Sequence, residues 1–183
     1  GITAWAWDFD NNGITDSSAA TLTGGEFGSV TIGGAGMASG STYEAGRFIY
    51  QSLDIDGSLT AYFPAGIPSD GNARVALMVR ASTANTAVMA AAATSANTSF
   101  GSLLSARSTV GGGTTVQPAS ANSLTLARWM RLSRAGSVFT AETSSDGTAW
   151  TLLGSATLTA MPDTALWGIF HYSSDWSVTG LGN

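Results

Sequence analysis

The sequence contains neither cysteine nor lysine. Without thiols there is no disulfide framework, no thiolate nucleophile and no cysteine-ligated metal site, and the redox compartment stays open. Without lysine, all the positive charge rests on seven arginines, which face twelve acidic residues for a formal net charge of −5. That balance argues against a grip on nucleic acid or anionic lipid, because both require clustered cations set against phosphates. Charged residues are scarce altogether, at 10% of the chain against about a quarter in ordinary globular proteins. Polarity comes instead from Ser, Thr, Asn and Gly, which suits neutral, hydroxyl-bearing partners. Long apolar runs are missing too. The Ala-rich stretch 86–94 is far shorter than the roughly 20 residues a membrane-spanning helix needs, so no membrane insertion is expected. Residues 2–8 lack the basic leader and apolar stretch of a signal peptide, so none is expected at Gly1.

What is present is a series of short β-prone runs punctuated by Gly, Asn, Asp and Ser, in 183 residues of which 44% are apolar. This pattern predicts an all-β fold, a two-sheet antiparallel β-sandwich forming a single domain over residues 1–183. Strands are expected at 27–32, 47–51, 73–80, 87–93, 103–109, 128–134 and 165–172. The run 87–93 has helical propensity through its alanines, but its shortness and its flanks favour a strand. Asp56-Gly57 is expected to close a hairpin between 53–55 and 58–63, since Asp-Gly readily takes the positive φ of tight turns. The clearest hairpin is 137–143, Ser144-Ser145-Asp146-Gly147 and 148–153. In 128–134, strict alternation puts Trp129, Arg131 and Ser133 on one face and Arg128, Met130, Leu132 and Arg134 on the other, with Met130 and Leu132 on the buried side. Trp167, Ile169 and His171 share a side. The tail 178–183 is expected to pair with an N-terminal strand.

Five segments occur in an order that resembles the laminin G-like, concanavalin A-like β-sandwich modules of bacterial secreted and surface proteins. They are residues 28–36, Phe48-Ile49-Tyr50-Gln51 leading into 56–61, Val75-Ala76-Leu77-Met78-Val79-Arg80, the run 128–134, and Ser144-Ser145-Asp146-Gly147-Thr148-Ala149-Trp150. The sequence departs from those modules at 37–42 and at 171–176. The resemblance implies a concanavalin A-like jelly roll. It also implies a module that binds glycans or packs as a spacer. The expected location is extracellular, at a cell surface or, for the assembly reading given below, on a virion.

Each candidate site competes with a plain structural role. A glycosidase needs two carboxylates flanking the scissile bond, whereas Glu26, Glu44 and Glu142 are far apart in sequence. Hydrolysis is therefore a distant alternative, and no catalytic residues are expected. A Ser-His-Asp triad would have to use His171, the only histidine, and no nucleophile elbow accompanies it. Asp8, Asp10, Asn12, Gly13 and Asp16 mimic the start of a calcium loop, but Ala19 stands where a bidentate Glu belongs. No cofactor or metal is therefore expected, with Ca2+ the one ion the sequence hints at. The ligand-binding candidates are His171, Tyr172, Asp175 and Trp176, because aromatic faces stack on sugar rings while Asp and His hydrogen-bond to hydroxyls. Trp5 and Trp7 share a strand face suited to burial, and Trp129, Trp150 and Trp167 are expected to serve packing. The function expected is a non-catalytic recognition or adhesion module with a glycan partner. The alternative is a structural subunit of a larger assembly, such as a virion decoration or tail protein or a surface-layer component. Its partners would be neighbouring subunits, held through polar packing and sheet edges.

Overall fold

The computed structural model describes residues 32–34, 42–44, 46–54, 56–65, 73–95, 101–117, 128–172 and 180–182, and every regular element among them is a strand. In chain order these are β1 (Ile32–Gly34), β2 (Arg47–Asp54), β3 (Gly57–Phe63), β4 (Arg74–Arg80), β5 (Met89–Ser95), β6 (Ser102–Arg107), β7 (Thr115–Val116), β8 (Arg128–Ala135), β9 (Val138–Ser144), β10 (Thr151–Thr157), β11 (Thr164–Tyr172) and β12 (Gly180–Gly182). One sheet has six strands in the order β2-β11-β4-β5-β6-β7, and a second has four in the order β10-β9-β8-β3. Strands β1 and β12 form a short ladder that lies against β11 and β2. All pairings are antiparallel. The expected all-β, two-sheet antiparallel sandwich is the fold of the described residues.

Alternation along each strand sorts the side chains into layers. Val75, Leu77 and Val79 of β4, Ala90 and Ala92 of β5 and Leu104 of β6 meet Met130, Leu132, Phe139, Ala141 and Leu153 from the four-stranded sheet in one core cluster. Each Leu-sized side chain buried there contributes about 1.5–3 kcal/mol relative to exposure. The opposite residues of the same strands, among them Ala76, Met78, Met89, Ala91, Ala93 and Leu103, form a second buried cluster with Phe170. Strands β4 and β5 are thus buried on both faces. This explains why Val75 to Val79 reads as a continuous apolar run without alternation. The alanine-rich run forms strand β5, not a helix, in register with β4 and β6.

One sequence expectation changes. Asp56-Gly57 does not close a hairpin: β2 lies in the six-stranded sheet and β3 in the four-stranded one, so this dipeptide carries the chain between layers. Gly57 accordingly does not take the positive φ that a tight turn would demand of it. The Asp56 carboxylate instead accepts the Gly136 N–H at 2.9 Å and stands 3.7 Å from Arg134, tying the crossing to the β8–β9 turn. The chain's end, in turn, pairs through β12 with β1 at Ile32–Gly34. Residues 2–8, including Trp5 and Trp7, and the Asp8–Asp16 loop lie outside the described residues.

A buried ion pair pins three loops onto the six-stranded sheet. The Arg107 guanidinium, fully buried, donates to both carboxylate oxygens of Glu44 at 2.7 and 2.5 Å. Its remaining capacity goes to the carbonyls of Asn85, Ala87 and Gly112 and to Thr114 Oγ1. Arg80 donates to the Ala84 carbonyl in the β4–β5 loop and lies 5.6 Å from the centre of the Phe48 ring. Burial pushes the Glu44 carboxyl up, and Arg107 pulls it back.

Candidate functional site

The outward face of the four-stranded sheet carries aromatic, charged and hydroxyl side chains. Because Met130 and Leu132 point into the core, the intervening residues of β8 point out, and their cross-strand partners follow. Trp129 pairs with Tyr62 of β3, and Arg131 pairs with Thr60 of β3 and Glu142 of β9. Tyr62 is 49% exposed and Trp129 is half-buried, with ring centroids 5.3 Å apart and planes tilted by 53°. Leu152, opposite Glu142, is 62% exposed. Two neighbouring aromatic rings, one exposed and one half-buried, thus sit side by side on the outer face of the sheet, each with few rotatable bonds.

The hairpin joining β9 to β10 completes this face. Asp146 is its hub: the carboxylate accepts the Thr148 and Ala149 N–H groups at 2.8 Å each and the Ser144 hydroxyl at 2.9 Å. These bonds hold its pKa far below the usual carboxylate range, the Ala149 N–H contributing most. Ser144 Oγ in turn accepts the Gly147 N–H at 2.9 Å. Gly147 has φ +77°, and a Cβ there would come within 3.1 Å of the Trp129 indole, so the turn backbone packs directly on that ring. Three residues further on, Trp150 places its ring under the Arg131 guanidinium, 4.1 Å from Cζ to centroid. Arg131 Nε donates to Glu142 at 2.8 Å. Stacked on one side and bonded at Nε, Arg131 is held in a single geometry, and its terminal nitrogens make no hydrogen bond within the described residues. The pair is net neutral and partly solvated, so its contribution to stability is about 1 kcal/mol or less.

Of the ligand-binding residues expected from sequence, His171 is 1% exposed and points inward with Trp167 and Ile169. Burial lowers its pKa from the usual 6.5, and neither ring nitrogen has a hydrogen-bond partner among the described residues. It belongs to the interior, away from any accessible surface. The backbone of Tyr172 pairs with Arg74 at the end of β11, while its side chain, Asp175 and Trp176 lie outside the described residues. Trp167 is core, as expected. Trp129 and Trp150 are half-buried on the outer face, where Trp129 packs against Tyr62 and the Gly147 backbone and Trp150 against Arg131. Sequence reasoning missed Tyr62, Arg131 and Glu142 as a group, although the alternation in 128–134 already turns Trp129 and Arg131 away from Met130 and Leu132. Glu44 and Glu142 occupy opposite sides of the molecule, one buried on the outer side of the six-stranded sheet and one on the outer face of the four-stranded sheet, so these two cannot flank one bond.

No protein-family model matches the chain, and no curated protein matches it. Among solved structures, the chain is similar to a functionally unknown protein from Saccharomyces cerevisiae, with 14% identity, a TM-score of 0.62 and coverage of 98% of this chain and 91% of that one. A metal-free lectin I-B4 from Griffonia simplicifolia matches at 12% identity and a TM-score of 0.49, over 84% of this chain and 89% of the lectin. A carbohydrate-binding module from Bacillus subtilis matches at 11% and 0.47, over 84% of this chain and 95% of the module. Scores below 0.5 bear on neither site nor ligand, and the yeast likeness shows a shared fold alone.

Proposed function

We propose that this protein is a non-catalytic glycan-recognition module that binds through the outer face of its four-stranded sheet. The observation that carries this reading is the pair Tyr62 and Trp129, cross-strand neighbours, the first exposed and the second half-buried, with rings 5.3 Å apart, set beside the neutral Arg131–Glu142 pair. Sugar rings present apolar C–H faces that stack on aromatic rings, while their edges carry hydroxyls that a fixed guanidinium and carboxylate can bind in pairs. A neutral glycan matches this face in charge, and a net charge of −5 without lysine disfavours acidic ones. Aromatic, guanidinium and hydroxyl groups supply all these contacts, so binding needs no metal. On this reading the protein works outside the cell, at a cell surface or on a virion.

The test is electrophoresis of the native protein through gels containing xylan, glucomannan, lichenan or hydroxyethylcellulose, with and without EDTA. At least one polysaccharide should retard the wild type in both buffers, and Trp129→Ala, checked for folding by circular dichroism, should weaken binding roughly tenfold or more, as loss of a central aromatic contact does. A subunit of a larger assembly is the competing reading, favoured by the exposure of Tyr62, Val138 and Leu152 on this same face. Sedimentation showing self-association that Trp129→Ala abolishes, together with no retardation by any polysaccharide, would decide for it.

A further inference from the structure

The outer face is graded along the strands, and the gradient bears on the shape of the ligand. Its first row across the sheet is Tyr62 and Trp129. Two residues along each strand comes the second, Thr60, Arg131, Glu142 and Leu152. Two residues further along β3, β8 and β9, and three along the bulged β10, is a third made wholly of hydroxyl residues, Ser58, Ser133, Thr140 and Ser155. All four are exposed or half-buried, and their hydroxyls make no hydrogen bond among the described residues. At about 3.3 Å per strand residue, the three rows extend over roughly 13 Å along β8, longer than one pyranose ring.

We infer that the face takes a linear, neutral oligosaccharide segment lying along β8, with one sugar stacked on Tyr62 and Trp129, the next engaged by Arg131 and Glu142, and a third hydrogen-bonded to the hydroxyl row. This rests on the glycan reading and adds to it the ligand's length and direction. Each row supplies the chemistry of one part of such a chain. The aromatic row meets a ring face, the fork of Arg131 meets adjacent hydroxyls, and Ser and Thr hydroxyls, both donors and acceptors, meet whichever partner the last sugar presents. A single sugar would leave the third row unused, and a branched glycan would carry side groups into the sheet between rows.

Isothermal titration of the full chain with cello-, xylo- and manno-oligosaccharides of one to six units tests this. For the series that binds, affinity should rise at least tenfold from one unit to three and level off beyond three. The combined variant Ser58→Ala, Ser133→Ala and Thr140→Ala should lose the gain from the third unit yet keep wild-type affinity for one or two, and Trp129→Ala should lose binding at every length. A monosaccharide that binds as tightly as its oligomers, with the hydroxyl-row variant unchanged, would overturn the extended-segment inference and leave glycan binding standing. If no member of any series binds and no polysaccharide retards the protein, the glycan reading itself falls.

Discussion

Arg107 and Arg131 are the same side chain put to different uses. Arg107 is fully buried, and Glu44, Thr114 and three carbonyls occupy all of its donors, so it has nothing left to offer a ligand. Arg131 is 30% exposed and bonded only at Nε, which leaves its fork open. His171 resembles Arg107 in burial without resembling it in pairing, and that difference has a pH signature. Its folded pKa lies below 6.5 because burial disfavours the imidazolium. Between that lowered value and 6.5 the unfolded chain binds a proton that the native state lacks. Stability from this group is therefore full above about 6.5 and is lost as pH falls below it. Glu44, with its carboxyl raised, titrates in the opposite sense, so the test is a comparison between two proteins. Urea midpoints at pH 7.5 and 5.5 should fall further for the wild type than for His171→Leu, and equal falls would show that His171 is not buried as a neutral base.

At the scale of elements, two Asp-Gly dipeptides show what local sequence can and cannot specify. In 144–150 every hydrogen bond that sets the turn comes from within it, through Ser144 and Asp146, and so the hairpin is legible from its own residues. Asp56-Gly57 carries the same dipeptide but joins two sheets. Its partners, Gly136 and Arg134, lie some 80 residues away, and nothing near it in the sequence announces them. The first turn also bears on the outer face, because Gly147 supports the Trp129 ring. Gly147→Ala forces a left-handed φ on a residue with a Cβ, at about 1–2 kcal/mol, and presses that Cβ on the indole. Denaturant unfolding should show a loss of that size, and glycan affinity should drop with it while the circular dichroism spectrum stays that of a β protein. A variant that loses stability but keeps full affinity would detach the turn from the binding face.

The molecule as a whole is asymmetric. Its six-stranded sheet is buried on both faces through β4 and β5, whereas its four-stranded sheet buries one face and leaves the other open. Both patterns are written in the sequence. The unbroken apolar run in β4 fits double burial, and the alternation in β8 fits a sheet with one wet face. The candidate site is harder to read because its residues lie far apart in the sequence. Tyr62, Trp129, Glu142 and Trp150 come from three strands and a turn, and only the pairing of β3, β8 and β9 makes them neighbours. The most direct test is amide chemical-shift mapping of the labelled protein with the neutral polysaccharide that retards it. Shifts concentrated at 58–62, 129–133, 140–142 and 147–155 are the predicted result. Shifts concentrated at 171–176 or on the strands of the six-stranded sheet, with the outer face of β8 unmoved, would contradict it.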